Sequence, residues 1–149
     1  MGLDMYLTAE KYIHGALDEE PNELTRAVNT VFDTRGYQAK SVRVWATDWR
    51  KANQIHNWFV NQIQDGEDDC KEYYVSKESM QRLVDLCKKV LADRSKAEKL
   101  LPSQEGFFFG STKYDEYYFE DLQDTIDKLT PFITDPNWES WDFYYQSSW

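Results

Sequence analysis

From Leu3 onward the chain alternates: Leu3, Met5 and Leu7 are apolar, while Asp4, Tyr6 and Thr8 carry polar groups. A period of two sets successive side chains on opposite faces of an extended backbone, so Leu3 to Ile13 predicts a strand with one dry face and one wet face. Such a strand needs neighbours, and its dry face needs a cover. Ser41-Val42-Arg43-Val44-Trp45-Ala46-Thr47 repeats the alternation with β-branched residues and predicts a second strand. Glu72 to Val75 reads as a short third. Trp141 to Ser147 alternates imperfectly but has strand composition, and it is expected to pair with the sheet.

Between these runs the apolar period changes to that of a helix. Leu24, Ala27, Val28, Val31 and Phe32 recur at helical spacing after the Asp18-to-Asn22 loop, until Gly36 ends the pattern. Asp48 is expected to cap a helix from Trp49 to Ile63 with Ala52, Ile55, Phe59 and Ile63 on its stripe, and Asp65-Gly66 stops it. Ser76 is placed to cap a helix starting near Lys77, whose stripe is Met80, Leu83, Val84, Cys87, Val90 and Leu91. A short helix is expected from Arg94 to Leu101, ended by Pro102. Gly106 to Gly110 reads either as a buried strand or as a tight aromatic loop. Tyr114 to Ile133 is the longest helical pattern, with Tyr118, Leu122, Ile126, Leu129 and Ile133 on one side and Ser111 or Thr112 as its expected cap. The fold class is therefore α+β, a small mostly antiparallel sheet covered by four or five helices. No repeat and no Gly, Ser or Pro-rich linker divides residues 1–149, which read as a single compact domain.

Charge narrows the partners. Seventeen basic residues against 27 acidic ones leave a formal charge of −10, which repels a phosphate backbone, so direct nucleic-acid binding is not expected. No apolar run reaches the roughly 20 residues of a membrane span. With Cys70 and Cys87 neither paired in a framework nor set beside a histidine ladder, a reduced cytoplasmic protein is the expectation. The six glycines form none of the phosphate-cradling patterns, and no cofactor is expected.

The charge is also uneven. From Tyr114 to Trp149 there are nine acids, among them Asp121, Asp135, Glu139 and Asp142, against one base, Lys128. Glu116, Glu120, Asp124 and Asp127 follow one another at three or four residues, which on a helix makes a row of like charge opposite the apolar stripe. The plain reading is a solvated helix face that keeps the protein soluble; the row also resembles the charge spacing of a nucleic-acid strand, and a basic protein is the partner that fits it. Tyr114, Tyr117, Trp138 and Trp141 are placed to anchor such a partner. Asp65-Gly66-Glu67-Asp68-Asp69 lacks the calcium-loop order and reads as a polar turn, not a metal site. A second reading gathers Arg50, Asn53, His56, Asp68 and Asp69 into a polar pocket around the His56 imidazole, a general base if a second group orients it and a substrate reaches it; the plainer reading of His56 is a packed, hydrogen-bonded histidine. His14, beside Gly15, reads as part of an exposed turn.

Met1-Gly2-Leu3-Asp4-Met5-Tyr6-Leu7, Trp49-Arg50-Lys51-Ala52-Asn53-Gln54-Ile55-His56-Asn57-Trp58-Phe59-Val60, Asp68-Asp69-Cys70, Leu100-Leu101-Pro102, Gly106 to Thr112 and the ending Asp142-Phe143-Tyr144-Tyr145-Gln146-Ser147-Ser148-Trp149 resemble a family of small proteins from phages and prophage-bearing bacteria. The resemblance brings no catalytic residue with it. It implies a setting in which small acidic proteins disarm host defence systems by binding them. The functional expectation is thus a phage-type inhibitor such as an anti-CRISPR, acting in the host cytoplasm on a basic, nucleic-acid-binding defence protein. The alternative is a small enzyme or ligand-binding protein built on the His56 pocket, and a third reading is a phage assembly component marked by a stable oligomer.

Overall fold

The computed structural model describes residues 2–13 and 20–149; His14, and Asp18 and Glu19 of the expected loop, lie outside the described residues. Four strands form one antiparallel sheet: β1 (Asp4–Tyr12), β2 (Ser41–Arg50), β3 (Tyr73–Val75) and β4 (Asp142–Ser148), in the order β2-β1-β4-β3. The helices are α1 (Glu23–Phe32), α2 (Asn53–Gln62), α3 (Lys77–Ala92), the single turn α4 (Ala97–Leu100) and α5 (Glu116–Thr134). This is the expected α+β arrangement. The expected pairing of the C-terminal strand is met by an inner position: Asp4 pairs with Ser148 and Glu10 with Asp142, so β4 lies beside β1 at the centre of the sheet.

Alternation does what a period of two requires. Leu3, just before β1, and Met5, Leu7 and Ala9 of β1 are fully buried, and Phe143 and Tyr145 join them from β4. Leu83, Val84, Cys87 and Val90 of α3 and Leu122, Ile126 and Leu129 of α5 belong to the same core, as do Ile55 and Phe59 of α2. Phe59 stacks on Tyr145 with ring centres 3.9 Å apart and planes 6° from parallel, a contact worth roughly 0.5–1.5 kcal/mol beyond its area. A bulge in β2 keeps both halves of that strand in phase with the core. Leu7 pairs with Thr47 but Thr8 pairs with Trp45, so Ala46 is the extra residue. The extra residue turns Val44 toward the core on one side and Trp49 on the other, while Trp45 goes to the wet face and meets Tyr6 edge-on at 4.9 Å.

Two boundaries differ from expectation. The strand runs on to Arg50, because Trp49 also fits the alternation and is buried opposite Met5. Asp48 is therefore a strand residue, and α2 starts only after Lys51, whose φ of +60° turns the chain. At α5 the cap is Asp115, which accepts from the Tyr118 amide, while the Ser111 hydroxyl accepts from the Lys113 amide instead. Ser76 caps α3 as expected. Gly106 to Gly110 is a loop, with Phe109 buried and Phe107 in water.

α1 is the exception to the rule that an apolar stripe faces its own core. Its N-cap Asn22 and its Thr25 hydroxyl both donate to the Ile13 carbonyl, the latter at 2.9 Å. Asn29 accepts from the Ala39 amide and donates to Gln38. These polar anchors fix the helix by the side bearing the buried Thr25, and Leu24, Val31 and Phe32 are left in water.

Candidate functional site

His56 lies on the first full turn of α2 and is 0% exposed. Its Nδ1 is 2.7 Å from the Tyr145 hydroxyl and its Nε2 is 2.9 Å from Asp68 Oδ2. The Asp68 carboxylate can only accept, so Nε2 carries a proton and donates to it, while Nδ1 and the Tyr145 hydroxyl, whose phenol burial pushes well above its ordinary value, share the other hydrogen bond. Trp149 Nε1–H donates to the other Asp68 oxygen at 3.0 Å, and Phe109 closes the ring edge at 5.3 Å. Both ring nitrogens are thus spent on the protein itself. The set Asp68–His56–Tyr145 ties α2, the loop before β3 and β4 together, and its histidine has no face to present to a substrate.

The rest of the expected pocket does not converge on it. Asn53, equally buried, donates to the Phe109 and Ser111 carbonyls at 3.0 and 2.9 Å and accepts from the Gln104 amide at 3.0 Å. It pins the aromatic loop against α2. Arg50 pairs with Asp4 at 3.0 Å on the wet face of the sheet and, with Lys51, Gln54, Lys113, Tyr117 and Asp121, borders a depression of about 280 Å³ beside α5. Asp69 accepts from the Tyr73 hydroxyl at 3.0 Å and pairs with Lys71 at 2.8 Å, which holds its carboxyl below the usual carboxylate value. Of the five residues, only His56 and Asp68 hydrogen-bond to each other. Among the described residues no three His, Cys, Asp or Glu groups are placed to hold one metal ion.

The acidic helix keeps its orientation but not its uniformity. At about 100° per residue, Glu116, Glu120, Asp124 and Asp127 share the outward side of α5, and all four are exposed. Glu116 is bound by Arg94, which also lies 4.2 Å over the Phe119 ring and holds the Glu116 carboxyl below its ordinary value. Asp124 pairs with Lys128 at 2.7 Å. Asp121 is turned partly inward, where Gln54 donates to it at 3.1 Å and desolvation raises its carboxyl above the ordinary value. Glu120 and Asp127 form no ion pair with any described residue; Asp127 accepts from Gln123. The row is therefore displayed outward with two of its four charges countered from within.

The expected anchors divide in the same way. Tyr117 is 78% exposed next to the row. Tyr114 rests on Tyr118 at 5.0 Å and accepts from the Ser103 amide. Trp138 and Trp141 meet at a tilt with ring centres 5.2 Å apart, and Trp138 lies 4.9 Å from Phe132, so this pair packs against the core. Asp135 is used as the cap of the turn that carries Trp138.

Sequence reasoning missed the cations that answer these acids. Lys128 stands four residues after Asp124, a spacing legible in the sequence. Arg94 reaches Glu116 only because the turn before α4 folds back onto α5. Arg43 lies across the wet sheet face, donating to Thr8 and to Glu72 at 3.0 and 2.6 Å with Glu10 at 3.9 Å; strand register is its only signal. Compared with protein-family models, with curated proteins and with solved structures, the chain matches none.

Proposed function

We propose that the chain is an inhibitor-type binding protein that uses the outward side of α5 to occupy a basic, nucleic-acid-binding groove on a host defence protein. The observation that carries this reading is the charge imbalance of the C-terminal quarter, nine acids against one base, with Glu120, Asp124, Asp127 and Tyr117 all on the exposed side of one 19-residue helix. A rigid helix presents that charge at fixed spacing, which favours fast association with a cationic surface and disfavours acidic partners. The resemblance to small phage and prophage proteins supplies the biological setting, host defence. The sealed His56 speaks for binding over catalysis.

The test is capture from a host lysate at low and high salt, with the native chain and with a Glu120→Gln, Asp124→Asn, Asp127→Asn variant. A charge-driven partner is released as salt rises and is lost from the variant, while the variant keeps its circular dichroism spectrum. Capture that ignores both salt and the three substitutions overturns the proposal.

A further inference from the structure

The stripe of α1 is an apolar helix face that no described element covers. Leu24 is 47% exposed, Val31 76% and Phe32 75%, on the helix whose adjoining flank is anchored through the buried Thr25. Four polar contacts from Asn22, Thr25 and Asn29 set that orientation, so the stripe cannot be turned inward without breaking them. An amphipathic helix fixed with its apolar side to water marks a surface for another protein.

Charge says which protein. Residues 20–40 hold three acids, Glu20, Glu23 and Asp33, and three bases, Arg26, Arg35 and Lys40, in a chain whose total is −10. This neutral segment is where two copies approach each other without like-charge repulsion. The stripe is also self-complementary. In an antiparallel pairing centred between Ala27 and Val28, Leu24 faces Val31 of the second copy, the small Ala27 lets the helices close together, and the acidic start of one helix, at Glu23, lies beside the end of the other, which leads into Arg35. The helix dipoles run oppositely.

We propose that α1 pairs with α1 of a second copy of this chain in a two-fold, antiparallel contact. The stripe is one face of a single 10-residue helix, less than a standard interface, so the dimer is reversible and depends on protein concentration. It does not depend on the acidic side of α5, and neutralising α5 leaves it unchanged.

Sedimentation equilibrium from about 5 to about 500 µM protein reads the mass, which climbs from 17.7 kDa toward twice that value. Val31→Asp raises the dissociation constant by about 30-fold or more and keeps the chain monomeric. In a Cys70→Ser background, mixing Leu24→Cys with Val31→Cys chains gives the mixed disulfide in preference to either homodisulfide. Cross-linking leaves most of the stripe intact and reads the pairing even where Val31→Asp lowers helicity. A monomer throughout the range, a dimer that survives Val31→Asp with its affinity intact, or a dominant Leu24→Cys homodisulfide overturns the proposal.

Discussion

α5 turns Leu122, Thr125 and Leu129 into the core and its carboxylates to water, whereas α1 turns Thr25 inward and Val31 and Phe32 outward. Both are amphipathic, and each begins at a side-chain cap, Asp115 for α5 and Asn22 for α1. What differs is the ground each lies on. α5 packs along α3 and beside the buried end of β2, where Trp49 Nε1–H donates to Thr125 at 3.0 Å. α1 sits within the connection between β1 and β2, where the groups within reach are the carbonyl of Ile13 and the amide of Ala39. A stripe at helical period states that apolar area needs a cover; the groups anchoring the helix decide whether the chain itself supplies it.

The sharpest way to break this contrast is a pair of truncations in dilute protein. Leu129→Ala removes a fully buried side chain and is expected to lower unfolding stability by about 2–5 kcal/mol, whereas Val31→Ala stays within about 0.5 kcal/mol. Urea denaturation followed by tryptophan fluorescence measures both; similar losses at the two sites would dissolve the distinction between the helices.

A smaller effect probes the anchors. Thr25→Val keeps the volume of a fully buried side chain but removes its donation to the Ile13 carbonyl, at a cost of about 1 kcal/mol. The loss should be confined to α1: its amides exchange faster, and those of α3 and α5 keep their protection. Uniform loss of protection would mean that α1 is part of the main cooperative unit.

The least expected effect concerns the one inward-leaning acid of α5. Burial holds the Asp121 carboxyl above its ordinary 3.8, so the folded chain binds that proton more tightly than the unfolded one. Its contribution to stability therefore falls as pH rises from about 4 and is lowest at neutral pH. Asp121→Asn, which still accepts from Gln54, should raise the melting temperature at pH 7 by about 1–2 °C, a gain that shrinks as pH falls into the carboxylate range. A lower melting temperature at pH 7 would show that the ionised form is needed by its neighbours.

The sheet was legible in the sequence wherever one face is wet, because Leu3 to Ala9 and Ser41 to Val44 have no other periodic reading. The helices α3 and α5 were legible from stripes that their own core covers. The boundary after β2 was not, since Trp49 satisfies both a strand alternation and a helical stripe, and only its pairing opposite Met5 chooses between them. The histidine was legible as packed or reactive but not as which, for its partner Tyr145 is 89 residues away and belongs to a strand whose register the sequence does not state. The acidic row was legible as a row. Its partial neutralisation by Arg94 was not, because that contact depends on how a short turn folds back.

The central place of β4 has a consequence for the way the protein is made. Until residues 142–148 have left the ribosome, β1 has one unpaired edge and Phe143 and Tyr145 are missing from the middle of the core. The nascent chain can form α2, α3 and α5 early, but its sheet closes only once that late segment is free, and for that interval the bare edge of β1 is open to strands of other chains.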